Sequence, residues 1–111
     1  MKTCLFLDLA DDPELIEQYE ARHRAVPAEV QGFLREQGVI GMEIYRLGTR
    51  LVMCMETDDA RFDAARFAAA GAAHPGIRAW EALMWKFQRP TPWTPAGEKW
   101  TASRSIFRLD Q

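Results

Sequence analysis

Tyr19 and His23 stand four residues apart in the stretch YEARHRAVP, residues 19–27. On a helix that spacing turns both side chains to one face, within reach of one small ligand. Histidine is the side chain best suited to moving protons near neutral pH, so the chemistry open to this pair is general acid–base catalysis. The same spacing also fits a histidine at a surface or a core edge beside a packed tyrosine, and both readings stand on these residues alone. His74, the only other histidine, lies between Ala73 and Pro75 and reads as a capping or loop residue.

Four tryptophans, Trp80, Trp85, Trp93 and Trp100, fall in the last third of the chain. An indole face gives a flat apolar wall on which the C–H face of a sugar ring can rest while polar groups bond its hydroxyls; the alternative is core and loop packing. The carboxylates Asp8, Glu29, Glu43, Glu56 and Glu81 have no metal-ligand spacing, and no metal is expected. Asp8 and Glu43 lie within strand patterns, and Glu43 is expected to share a face with Tyr45 only if the strand bulges. There is no Gly-rich phosphate loop, GxSxG, HExxH or Walker lysine, which disfavours phosphate transfer and metal-assisted hydrolysis. Cys4 and Cys54 are far apart, with no CxxC and no neighbouring histidine, and read as buried small hydrophobes in a reducing compartment.

These side chains need a scaffold, and 111 residues, 48% hydrophobic and 27% charged, suit one globular domain over 1–111 with one real core. A net charge of −2 without any Lys/Arg block removes the electrostatic footprint of a nucleic-acid binder. The N-terminal apolar stretch, Leu5 to Leu9, is interrupted by Asp8 and too short for a signal segment or a membrane span. A cytoplasmic location and no membrane partner are therefore expected.

The pattern predicts a strand over 3–9, apolar on both faces, then a helix capped by Asp12 with Pro13 in its first turn, running to His23. Pro27 should break it near Val26 before a second helix over 28–37 that ends at Gly38. VIGMEIYRL (39–47) and RLVMCMET (50–57), joined by Gly48-Thr49, predict an antiparallel hairpin. A helix should start near Asp58 or Asp59 and stop at Gly71. Another should carry Ile77, Trp80, Met84 and Phe87 at core spacing. RPTPWTPAGEKW (89–100) should be irregular, and SRSIFRL (103–109) a last strand. The order β-α-β-β-α-β is the ferredoxin-like α+β pattern, an antiparallel sheet with helices on one face. Strands apolar on both faces need cover on both, so a homodimer with sheets facing across a two-fold axis is expected; the competing arrangement is a monomer whose C-terminal segment folds over the sheet.

Taken together, Y-E-A-R-H on the first helix, Pro27 and Glu29 after it, the EIYR strand and RAWEALMWKFQ resemble the L-rhamnose mutarotase family of small dimeric α/β barrel proteins, over nearly the whole chain. The resemblance implies a cofactor-free isomerase that interconverts the α and β anomers of a deoxyhexose. It implies that His23 is the proton donor, Tyr19 a substrate-contacting tyrosine, and Trp80 the second residue of a paired-tryptophan contact site. Two positions depart from the pattern. The first tryptophan of the pair is Ala79 here, and a further sugar-binding tyrosine on the second strand is Met42, so L-fucose fits at least as well as L-rhamnose. Candidate substrate contacts are then Tyr19, Trp80, Met42, Glu43, Trp93 and Trp100, around a catalytic His23 in a hollow closed by two sheets. The base facing His23 stays open among Tyr19, Glu29, Glu43 and a water. A cofactor-independent monooxygenase-like protein and a ligand-binding dimer on the same architecture are the alternatives.

Overall fold

The computed structural model describes residues 1–109. In chain order it forms β1 (Lys2–Leu9), α1 (Pro13–His23), α2 (Ala28–Glu36), β2 (Val39–Leu47), β3 (Arg50–Thr57), α3 (Ala64–Ala73), α4 (Pro75–Met84), β4 (Gln88–Arg89) and β5 (Thr101–Ala102). The sheet runs β2-β3-β1-β4 with every pairing antiparallel, and β5 shares β1 with β4. This is the expected α+β, ferredoxin-like architecture. Among the described residues, no helix is long and apolar enough to cross a membrane.

Local chemistry accounts for the first half. The Asp12 carboxylate accepts from the backbone N–H groups of Glu14 and Leu15, and Pro13 takes the first helical turn, where no donor is needed. Pro27, at φ −53° and ψ 140°, holds the chain extended between α1 and α2. The β2–β3 hairpin pairs Leu47 with Arg50 around Gly48 at φ 60°, and its register shifts once, between Val39 and Gly41.

Four features differ from the expectation. The helix expected from Asp58 or Asp59 begins at Ala64. Asp58 instead folds a turn by accepting from the Ala60 N–H, and Asp63 caps α3 through the Arg66 N–H. The helix runs past Gly71 to Ala73; Pro75 then forces His74 out of helical geometry, to φ −90° and ψ 114°. Phe87 lies beyond the end of α4, although it is only 1% exposed in the core. Finally, 103–109 form no strand. The edge of β1 is occupied by two stubs, β4 opposite Asp8 and Leu9, and β5 opposite Leu5 and Phe6, with the proline-rich segment looping out between them. Ser103 ties the chain after β5 to β1, donating from its N–H and its hydroxyl to the Cys4 carbonyl.

Strand alternation sorts the side chains of β1 onto two faces. Leu5, Leu7 and Leu9 face the helices with Leu51 and Met53 of β3, while Cys4, Phe6 and Asp8 point to the outer face. The core has two centres. Leu9, Tyr19, Leu51, Met84 and Phe87 form one; Val30, Phe33 and Ile77 form the other; Trp80 packs against both. At about 25 cal/mol per Å² of apolar surface, these side chains supply most of the force that seats the helices on the sheet.

Candidate active site

His23 closes α1, and its Nδ1 lies 2.9 Å from the Tyr19 carbonyl oxygen one turn back. A carbonyl only accepts, so Nδ1 carries the hydrogen and Nε2 of the neutral ring keeps its lone pair. The imidazole is wedged between two aromatic rings, 4.2 Å from the Tyr19 centroid and 5.5 Å from Trp80, the latter close to edge-on at 63°. Its orientation is fixed by its own helix and by two core side chains.

Tyr19 is 3% exposed, and its hydroxyl accepts from Gln88 Nε2 at 3.4 Å. Burial above all, opposed by the Gln88 hydrogen bond and reinforced by the charge of Glu81, pushes the phenol up to about 12. At neutral pH Tyr19 is therefore an uncharged hydroxyl that can donate or accept a hydrogen bond, and is unsuited to the role of phenolate base. Gln88, 3% exposed, leaves its Oε1 buried without a partner. An unpaired buried acceptor costs about 1–3 kcal/mol, and this one belongs to a residue lining the open space beside Tyr19.

Two hollows meet at His23. A compact one of about 300 Å³ lies between α1 and the sheet, lined by Tyr19, Glu20, His23, Arg24, Ile44 and Arg46, with Leu51 beneath. There the Glu20 carboxylate accepts from Arg46 Nε at 2.5 Å. The other is a cleft of about 1210 Å³ between the helices and the inner face of β2 and β3. Tyr19, His23, Trp80, Met42, Gln88 and Trp100 all border it. At its rim Lys99 Nζ lies 2.6 Å from the Glu81 carboxylate and 4.6 Å from the Trp85 ring centroid.

The structure brings five of the seven expected site residues to this region, Tyr19, His23, Trp80, Met42 and Trp100. Two lie elsewhere. Glu43 sits on the outer face of β2, where it accepts a hydrogen bond from the Tyr45 hydroxyl. No bulge is involved: residues two apart share a face by strand alternation, and the register shift lies upstream. Trp93 is 74% exposed and stacks with the Arg50 guanidinium at 5.5 Å, while Arg50 is held by Asp8 on the outer face. Asp8 is thereby assigned to an ion pair. The hollow itself lies between sheet and helices of one chain, so the expectation of a cavity closed by two sheets is corrected. His74 caps α4, its Nδ1 accepting from the N–H groups of Gly76 and Ile77.

Sequence reasoning missed Glu20, Arg46 and Gln88. Glu20 precedes His23 by three positions, so helical spacing could have placed it on the same side. Arg46 stands in the EIYR strand, but its pairing with Glu20 spans 26 residues and only the fold reveals it.

Comparison with known proteins gives a consistent set of likenesses. Residues 2–109 match the family model for L-rhamnose mutarotase. An L-fucose mutarotase of Xanthomonas campestris pv. campestris is 46% identical over 112 residues, covering 99% of this chain and 89% of the relative. Among solved structures, an L-rhamnose mutarotase from Formosa agariphila superposes with a TM-score of 0.72 at 15% identity, over 99% of each chain. The tetracenomycin F2 cyclase of Streptomyces glaucescens, a type-II polyketide cyclase, superposes with a TM-score of 0.69, also at 15% identity, over 100% of this chain and 98% of the cyclase. At that identity the two structures speak for the fold alone.

Proposed function

The chain belongs to the L-rhamnose mutarotase family, and from that premise we propose that it interconverts the α and β anomers of a 6-deoxyhexose with His23 as its proton carrier. The enzyme is an isomerase acting on sugar anomers. The name of the 46% identical relative ranks L-fucose ahead of L-rhamnose as substrate. Neither the monooxygenase-like reading nor the binding-only reading is favoured by the comparisons.

The observation that carries the mechanism is the imidazole whose Nδ1 is taken up by its own helix, leaving Nε2 for the substrate. Ring opening requires a proton delivered to the ring oxygen O5 as the C1–O5 bond breaks, and a proton removed from the anomeric hydroxyl as C1 becomes an aldehyde. Rotation about C1–C2 and the reverse proton movements then close the ring with the opposite configuration. In this proposal Nε2 of protonated His23 gives its proton to O5 and takes it back on closure. Glu20, lining the same compact hollow and using the carboxylate oxygen that Arg46 leaves free, accepts the anomeric proton. Glu43 and Tyr19 are poor candidates for that base, one for its position on the outer face and the other for its high pKa. Positioned acid–base groups of this kind contribute about 10²–10⁴-fold to a rate.

Substrate contacts are proposed at Tyr19, Trp80, Met42 and Trp100. The unpartnered Gln88 Oε1 supports a further one, because a sugar hydroxyl is the donor it lacks. Magnetisation-exchange NMR between the anomeric protons of L-fucose, L-rhamnose and D-glucose tests the function directly. Protein-dependent exchange is expected for the 6-deoxy sugars, and its absence for all three sugars refutes the proposal.

A second copy is proposed to cover the outer sheet face. Tyr45 (54%) and Leu47 (87%) are exposed there or at its end, and Ile106 (87%) and Phe107 (78%) are exposed on the segment after β5. A monomeric mass by light scattering at micromolar concentration would refute this. A cytoplasmic location is proposed because two cysteines in 111 residues do not make the disulfide framework of a small secreted domain.

A further inference from the structure

The two cysteines, which sequence reading treats as unrelated buried hydrophobes, stand directly opposite one another on β1 and β3. Their sulfurs are 3.8 Å apart, Cys4 is exposed and Cys54 partly so. The hydrogen-bond pattern defines the pair further. Leu9 bonds across to the β3 side through Thr49, whereas Cys4 bonds to Ser103 and Ala10 to Phe87 on the opposite edge. Even-numbered residues of β1 thus turn their backbone away from β3, so Cys4 and Cys54 are a non-hydrogen-bonded cross-strand pair. Such pairs hold their Cα atoms about 4.5 Å apart, inside the range of about 4.4–6.8 Å that a disulfide spans. Closing the bond needs movement of the two side chains and none of the sheet.

We infer that Cys4 and Cys54 form a redox site, a vicinal dithiol on the outer sheet face that closes to an intrachain disulfide by exchange with a small-molecule disulfide of the glutathione class. The Cys4 thiolate attacks one sulfur of the oxidant, forming a mixed disulfide and releasing one thiol. Cys54 then attacks the Cys4 sulfur and releases the second thiol. Two protein thiols are oxidised and one disulfide is reduced to two thiols, so atoms and electrons balance. Cys4 goes first because it is the more exposed and because Glu43 is the β2 neighbour of Cys54. The hydrogen bond shared with Cys4, then burial and the charges of Cys4 and Glu43, push the Cys54 thiol up. Both sulfurs are on one chain, so a second copy covering this face changes the rate of exchange and not its product. The site is separate from the sugar hollow, which lies on the other face of the sheet.

The test is incubation of the full chain with oxidised glutathione, acid quenching, and mass spectrometry of non-reduced peptides. The expected product has lost two hydrogens and links the Cys4 peptide to the Cys54 peptide, and its melting temperature rises by about 15 °C, as expected for closing a loop of 50 residues. Cys54→Ser should trap a glutathione adduct on Cys4, and Cys4→Ser should collect far less. The inference is overturned by stable adducts on both cysteines of the unaltered chain, by an interchain Cys4–Cys4 bond, or by two unreacted thiols at equilibrium with excess oxidant. None of these readouts depends on mutarotase activity.

Discussion

Replacing His23 by Asn separates the two jobs of its ring. The asparagine side-chain N–H₂ reaches about as far as Nδ1, so it can keep the hydrogen bond to the Tyr19 carbonyl now made at 2.9 Å. It has nothing at the position of Nε2. The end of α1 and the packing beside Trp80 are thereby preserved to within about 1 kcal/mol, the worth of one neutral hydrogen bond and a small change in volume. The reaction loses its proton carrier at O5, which costs about 10²–10⁴-fold in rate, or about 2.7–5.4 kcal/mol of barrier. Exchange spectroscopy on the anomeric protons of L-fucose measures the rate above the uncatalysed background, and a melting curve measures the fold. We expect exchange at or near background with a melting temperature within a few degrees of the unaltered chain. An Asn variant that exchanges anomers at the full rate would remove His23 from the mechanism, and a variant that unfolds would show the ring to be structural first.

Three further outcomes follow from particular contacts. Tyr19 is neutral in the fold up to about pH 12 but ionises near 10 when unfolded. Its contribution is therefore complete below pH 10 and lost as pH rises through 12, a fall of about 2–3 kcal/mol that Tyr19→Phe should abolish in denaturant titrations across that window. Gln88→Leu removes the unpartnered oxygen together with a 3.4 Å bond to Tyr19. It should leave the melting temperature almost unchanged and raise KM about 3–10-fold, one hydrogen bond's worth; an unchanged KM would exclude Gln88 from the sugar site. Gly38→Ala puts a Cβ 2.9 Å from the Phe62 nitrogen and 3.1 Å from the Arg61 carbonyl carbon, both backbone atoms, at φ +98°. A loss of about 2–4 kcal/mol in stability is expected from chemical denaturation.

Much of the scaffold was readable because each element carried its own punctuation. The Asp12-capped entry into α1 through Pro13, the break at Pro27, and the alternation around Gly48 are local signals with local causes. The errors arose where two sites offered the same signal. Asp58 and Asp63 are both capping residues, and only the turn closed by Asp58 leaves the helix to Asp63. The alternation of 103–109 suits a strand, but a strand needs a partner edge, and β4 and β5 had already taken the edge of β1. The site followed the same division. Tyr19 with His23 is a helical spacing, whereas Glu20 with Arg46 and Tyr19 with Gln88 are made by topology. Trp93 and Trp100 look alike in one proline-rich segment; the path of that segment sends the second to the hollow and the first to Arg50.

Because His23 is oriented by the carbonyl of Tyr19 on its own helix, no side chain of the pocket wall is needed to set its tautomer. Tyr19 and Trp80 flank the ring, but the hydrogen on Nδ1 is placed by the backbone and not by the more distant wall residues. A change at a wall position such as Met42 can reshape what the cavity holds while that hydrogen keeps its place, so this fold is free to drift from one sugar to another by changing its walls.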